Sequence, residues 1–244
     1  MTSIDMNRAL TFGQVAEAYA RFRPGYPDEA VAWLAPPAPG HVADVGAGTG
    51  QLTESLLARG LTVEAVEPDP EMLAVLAENF PAARPHCAGA DAIPAEDGSL
   101  DAVLVADAWH WFPQEATIAE VRRVLRPGGR LGLVWNMVTP VESWEFEVTG
   151  TDPDQKGTTG QQTFPFPFPE SETEVERFPW TWDITPEHYA AALATNSAVI
   201  AMDDQERAAR METARSLLQR VCDETGRTSL PFHHQAYCVR WTPQ

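Results

Sequence analysis

Two carboxylates and a glycine loop sit where a nucleotide-like ligand would need them. The loop is Asp44-Val45-Gly46-Ala47-Gly48-Thr49-Gly50-Gln51, at the point where an apolar run gives way to a helical pattern. Glycines at such a turn let the backbone pass close to a ligand and present amides at a helix N-terminus. The spacing is GxGxG, not the GxGxxG of dinucleotide sites, which disfavours a nicotinamide-dependent oxidoreductase. Glu67, followed by Pro68, ends the next apolar run. A carboxylate at that height can accept from both hydroxyls of a ribose. Asp91 follows a third run and could accept from an adenine amino group, while the Ala92 amide donates to the ring.

The elements that must position these groups follow from periodicity. Phe12 to Phe22 reads as a helix with Val15, Ala16, Tyr19 and Phe22 on one face, and Glu29 to Leu34 as a second, capped by Asp28. From His41 strands and helices alternate. The strands are Val42–Val45, Leu61–Val66, His86–Gly89, Leu100–Ala106 and Arg130–Trp135. The helices are Thr49–Arg59, Pro70–Asn79 and Pro113–Val124, the last closed by Pro127-Gly128-Gly129. This alternation predicts an α/β fold with a doubly wound, mostly parallel sheet. Val138 to Pro169, rich in Pro, Gly, Thr and Phe, reads as one long mobile loop. Beyond it come a strand (Glu174–Trp182), helices (Pro186–Ala194 and Asp203–Glu224) and a last strand (Phe232–Trp241).

Bulk properties narrow the partners. The 244 residues suit one α/β domain with an added lid, divided into a ligand-binding core (12–136), a lid and substrate region (138–230) and a closing strand (231–241). The formal net charge is −18, and all but one of the 17 basic residues are arginines. Such a surface repels phosphate backbones and anionic lipid, which disfavours nucleic acid and membranes as partners. Three widely spaced cysteines, a polar start and the absence of any long apolar run lead us to expect a cytoplasmic protein with reduced thiols. His233-His234 is not a metal site by spacing, because neighbours on a strand face opposite ways, and no metal is expected. Monomer and homodimer both remain open.

The glycine loop, Glu67 and Asp91, in this order and spacing, resemble the class I S-adenosylmethionine (SAM)-dependent methyltransferases. So does Arg123-Val124-Leu125-Arg126-Pro127-Gly128-Gly129-Arg130-Leu131. Tyr19, Arg23-Pro24-Gly25-Tyr26-Pro27, Trp109-His110-Trp111-Phe112 and Leu133-Val134-Trp135-Asn136 are similar to the small-molecule branch that includes trans-aconitate methyltransferase-like (methyltransferase type 11) proteins. The resemblance is close from Phe12 to Asn136, loose from Glu174 onward and absent between Val138 and Pro169. It implies seven strands, the last antiparallel, and SAM as cofactor across the ends of the first strands. Gly46, Ala47, Gly48, Thr49 and Gly50 would cradle its methionine part, Glu67 with Pro68 its ribose, and Asp91 with Ala92 its adenine. Met72 would pack on that ring, and Ala106 or Asp107 would add a backbone contact. Tyr19 and Arg23 are candidates to touch the carboxylate of SAM or the acceptor.

In that fold Trp109-His110-Trp111-Phe112 lies beside the sulfonium. His110 could accept a proton, orient the acceptor or simply pack. Trp111 reads as wall, with a cation–π contribution of ~0.5–2 kcal/mol if its face meets a sulfonium. Trp109, Trp135 and Asn136 are candidates for the acceptor side. Phe164, Phe166 and Phe168 could form a lid or a brace. The expected reaction is methyl transfer by in-line displacement to a small carboxylate, hydroxyl or amine. The same cofactor residues would serve cyclisation or aminocarboxypropyl transfer that releases methylthioadenosine, or a SAM-binding partner without turnover.

Overall fold

The computed structural model describes residues 15–152 and 167–243. Its strands are β1 (His41–Val45), β2 (Thr62–Val66), β3 (Arg84–His86), β4 (Leu100–Ala106), β5 (Leu125–Val138), β6 (Thr173–Ile184) and β7 (Leu230–Trp241). They form one sheet in the order β3-β2-β1-β4-β5-β7-β6. β1 to β5 are mutually parallel, whereas β7 runs antiparallel to both β5 and β6. The chain lays strands outward from β1 to β3, then crosses back to place β4 on the other side of β1. In an open sheet the crevice at such a reversal, above the carboxyl ends of the strands, is where ligands bind.

The helices are α1 (Ala16–Phe22), α2 (Asp28–Leu34), α3 (Gln51–Ala58), α4 (Pro70–Asn79), α5 (Gln114–Val124), α6 (Ser143–Thr149), α7 (Pro186–Leu193), α8 (Ser197–Ile200) and α9 (Asp204–Thr225). Their ends follow local chemistry. Asp69 caps α4 by accepting from the Glu71 and Met72 amides at 2.9 and 3.2 Å. Asp203 and Glu206 form a capping box at the start of α9, and Gly226 ends it in the left-handed conformation.

Each sheet face is buried. Val103, Val105, Leu131, Leu133 and Val239 join Val121 and Val124 of α5 on one side. Val42, Val63, Leu104 and Val134 pack against Val31 and Leu34 of α2 and Leu52 and Leu56 of α3 on the other. Each fully buried Leu or Val contributes ~1.5–3 kcal/mol, so the central strands make a stiff platform for the loops at their ends. β6 is an edge strand whose residues are mostly exposed or half-exposed. Among the described residues no helix is long and apolar enough to cross a membrane.

Several expectations need correction. β3 is Arg84–His86, not His86–Gly89. β5 starts at Leu125: Leu100 pairs with Leu125 and Ala102 with Arg130, so Arg126-Pro127-Gly128-Gly129 bulges out of a continuing strand rather than preceding it. The expected loop after Val138 contains α6, started by a capping box in which Glu142 and Glu145 accept from each other's amides. Residues 12–14 of the first expected helix, and Phe164 and Phe166, lie outside the described residues. Phe168 is a brace: it stacks on Trp241 at 4.5 Å and 14° and sits 5.6 Å from Trp109.

Candidate functional site

The glycine loop leaves β1 at the reversal point. Gly46 has φ +71°, and a Cβ there would lie 2.7 Å from the Ala108 Cβ and 3.0 Å from the Phe112 ring, so the loop can pass the end of β4 only without a side chain. Just before it, Asp44 is 0% exposed. Its Oδ2 accepts from the Thr53 hydroxyl at 2.6 Å, while Oδ1 has no partner. Burial raises the Asp44 pKa to about 7. Glu67, at the end of β2, accepts from the Gly48 amide through Oε2 and from the Asp69 amide through Oε1, both at 2.9 Å. Burial pushes its pKa up, and the two amides partly offset that. Glu67 thereby ties the glycine loop to the start of α4.

A cavity of about 350 Å³ opens beside the loop. Gly46, Ala47, Gly48, Gln51 and Asp44 line one end, and Ala106, Asp107, His110, Trp111 and Asn136 the middle. Tyr19, Arg23 and Tyr26 close over it from α1 and the chain that follows. Asp107 holds φ +51°, rare for a non-glycine residue and found where surrounding contacts impose it. Its amide donates to the Val134 carbonyl, Oδ1 accepts from the Asn136 amide at 3.2 Å, and Oδ2 from the Tyr26 hydroxyl at 2.8 Å. Burial raises the Asp107 pKa to about 6. The Asn136 Nδ2 donates to the Gly25 carbonyl at 2.9 Å, so Asp107 and Asn136 together latch the N-terminal segment to the ends of β4 and β5. Arg23 donates through Nε and Nη2 to Thr195 and lies 5.1 Å from the Tyr19 ring centroid.

The other end of the cavity is aromatic. Trp182 from β6, Tyr189 from α7, and Phe232 and His234 from β7 line it, with Asn196 and Ser197 at the start of α8. His110 and Trp111 face it from a 3₁₀ turn, their rings 4.7 Å apart. Burial pushes the His110 pKa down, favouring the neutral ring.

Two aromatic candidates are misplaced by the sequence reading. Trp109 is 2% exposed and turns into the core against Phe112 and Phe168. Trp135 lies on the opposite sheet face from Asn136, 6.1 Å from Tyr237, because successive strand residues alternate. Neither lines the cavity. Thr49, Gly50, Glu67, Pro68, Met72, Asp91 and Ala92 lie outside its lining too, on the β2 and β3 side. Gly50 leaves no room for a Cβ beside Phe80, whereas the Met72 methyl reaches to 3.4 Å from a Cβ placed on Gly48. Asp91 and Ala92 are exposed. The sequence reading carries Asp44, Gln51 and Tyr26 within its motifs but gives them no role, and it misses the far wall. Asp44 and Gln51 had a signal, since they flank the glycines.

The methyltransferase domain family matches residues 43–133, from β1 into β5. A Mycobacterium tuberculosis protein named as an uncharacterized methyltransferase is 42% identical over 99% of both chains. The chain belongs to the class I SAM-dependent methyltransferases. A Schizosaccharomyces pombe methyltransferase-like protein shares 38% identity with this methyltransferase over 57% of its length and 56% of the yeast chain. A structure of a type II methyltransferase from Anaeromyxobacter dehalogenans, described as putative in its source, superposes with a TM-score of 0.67 at 27% identity, covering 90% of this methyltransferase and 97% of that chain. A Haemonchus contortus phosphoethanolamine N-methyltransferase, solved with phosphomonomethylethanolamine and S-adenosylhomocysteine, shares the fold at a TM-score of 0.52 and 20% identity, over 95% of this methyltransferase and 58% of that chain. The family match holds Asp44, the glycines, Glu67, Asp91 and His110, and stops before Asn136 and the aromatic wall.

Proposed function

We propose that this methyltransferase transfers the SAM methyl group to a small-molecule acceptor held at the aromatic end of the cavity. The observation that carries the reading is the buried Asp44 carboxylate, which lines the cavity with one oxygen lacking a partner. Isolated buried charge is costly, so such a group calls for a cation. The ammonium of the SAM methionine end fits it, with the glycine-loop backbone alongside. Arg23, the one arginine or lysine among the described lining residues, would face the carboxylate of SAM or of the acceptor. Glu67 would take the ribose, Asp91 and Ala92 the adenine, with Met72 beneath the ring.

SAM supplies a methyl group on an activated sulfonium that leaves as a neutral thioether. The protein's task is then to align two reactants and exclude water, which contributes several kcal/mol. Tyr19, Tyr26, Trp111 and Tyr189 would exclude water, and Asn136 would fix the N-terminal cover. The cavity volume and the net charge of −18 support a small acceptor over a nucleic acid.

The test is to incubate the protein with SAM alone and with SAM plus a panel of small acids, phenols and amines, and to quantify products by mass spectrometry. Adenosylhomocysteine formed only with an acceptor is the expected result. Methylthioadenosine from SAM alone, above an enzyme-free blank, would replace methyl transfer with intramolecular chemistry. Glu67→Ala is expected to weaken SAM binding by roughly 1–3 kcal/mol, read by calorimetry, with Glu67→Gln closer to wild type. Unchanged affinity in the alanine variant would remove Glu67 from the ribose role.

A further inference from the structure

We propose that His234 takes the proton from the methyl acceptor, and that the acceptor is a flat molecule bearing a phenol, held among the rings at the β7 end of the cavity. This rests on the methyl-transfer reading above and adds the acceptor's chemistry to it.

His234 pairs with Val138 of β5 and Trp180 of β6, two residues along β7 from the Ala236 that pairs with Asn136. It therefore shares a sheet face with Asn136. Adjacent strands lie ~4.8 Å apart and β7 is three strands from β1, while the register levels Asp44 with Arg240, six residues from His234, so His234 stands roughly 14 Å across the sheet and roughly 20 Å along it from Asp44. Both line the same cavity, which lets a methionine chain extend from Asp44 with the acceptor oxygen between the methyl group and His234 and the acceptor ring against the aromatic wall. Its surroundings are aromatic: ring centroids of Phe232, Trp180 and Trp182 lie at 4.8, 5.2 and 6.0 Å. Flat walls of this kind select a flat guest through stacking and edge contacts.

The tautomer is set by the backbone. His234 Nδ1 lies 3.1 Å from the Phe232 carbonyl, which can only accept, so Nδ1 carries the hydrogen. The neutral ring then offers Nε2 as an acceptor in a residue that lines the cavity. Burial holds the ring below the usual imidazole pKa, against a weaker upward pull from the Phe232 carbonyl and Glu145 and a downward push from His233. Glu145 comes from α6 and His233 from β7; the charged groups lining the cavity itself are Asp44, Arg23, Asp107 and, when protonated, His110. His110 has no hydrogen bond that fixes its tautomer among the described residues. In the step, the acceptor oxygen bonds the methyl carbon while the electron pair of the methyl–sulfur bond stays on sulfur. The phenol proton passes to Nε2, and the imidazolium later releases it to water.

The probes are para-substituted phenols with pKa values from about 7 to about 10, 10 being the ordinary phenol value, with adenosylhomocysteine as the readout. In His234→Gln, turnover of the least acidic phenol is expected to fall about 100-fold, and that of the most acidic, largely ionised at pH 8, less than fivefold, with SAM affinity and Tm near wild type. An equal loss across the series would make His234 structural, and no loss would remove it from proton transfer. A measurement on the wild type alone stands beside the variant. At pH 7 the least acidic phenol should turn over within about tenfold of the most acidic; rates tracking the phenolate fraction, roughly 500-fold lower at pKa 10 than at pKa 7, would mean that no base operates. Methylation of carboxylic acids or aliphatic amines but of no phenol would overturn the acceptor class and leave methyl transfer standing, whereas methylthioadenosine from SAM alone would overturn both.

Discussion

Asp44→Asn is expected to weaken SAM binding by about 2–3 kcal/mol, roughly 30- to 150-fold, while leaving the fold intact or slightly more stable. Asn keeps the shape and can still accept from the Thr53 hydroxyl, which now bonds Oδ2. What it loses is a charge that burial already opposes, since the ligand-free carboxyl has its pKa raised to about 7. The sign of the pH effect follows. The folded chain keeps the Asp44 proton at pH values where the unfolded chain has released it. This group's contribution to stability therefore declines as pH rises from about 4 to about 7 and is flat above that. Binding a cation reverses the preference, because the carboxyl must ionise to pair with it. SAM affinity should fall about fivefold from pH 7 to pH 6 in the wild type, and the fall should vanish in Asp44→Asn. Methylthioadenosine, which lacks the amino and carboxyl groups, should bind both proteins alike. Calorimetry with the two ligands at two pH values decides this; equal losses for both ligands would move Asp44 away from the ammonium.

The second large effect concerns stability. Glu145 is 0% exposed and accepts from four donors. The Val141 and Glu142 amides meet Oε2 at 2.7 Å, and the His233 amide and Nδ1 meet Oε1 at 2.7 and 3.0 Å. It starts α6 and fastens that helix to β7. Glu145→Ala would leave these donors without their buried acceptor and open a void beside α6, at a cost of about 3–5 kcal/mol. At ~2–4 °C per kcal/mol for a chain of this size, Tm should drop by roughly 6–20 °C, with a smaller drop for Glu145→Gln. SAM affinity should hold, because Asp44 and the glycine loop lie on strands remote from α6. A Tm within 2 °C of wild type would show that the clamp is dispensable.

The first half of the fold was legible because its signals are local. Glycines at a strand–helix turn, a carboxylate ending β2 and the alternation of strands and helices predict a doubly wound, mostly parallel sheet. The seven-stranded, mostly parallel sheet is as expected. α6 was not legible, for physical reasons. Trp144, Phe146 and Val148 alternate at every second residue, a strand-like pattern, and the helix starts on Glu142 instead of Ser, Thr, Asp or Asn. Pro127-Gly128-Gly129 reads as a stop, yet pairing on both sides carries β5 through it. The far wall was hidden because Trp182, Tyr189, Phe232 and His234 come from three elements that only the antiparallel pairing of β7 brings together. Strand alternation alone would have separated Trp135 from Asn136.

The edge strand β6 has a consequence for self-association. Its outer side would be a template for another chain's backbone, and an open strand of this length invites runaway stacking. Pro179 lacks the amide such pairing needs, and Glu174, Glu176, Arg177 and Asp183 would force charges against an incoming strand. The sheet is thereby protected from growing copy by copy into a fibre at this edge.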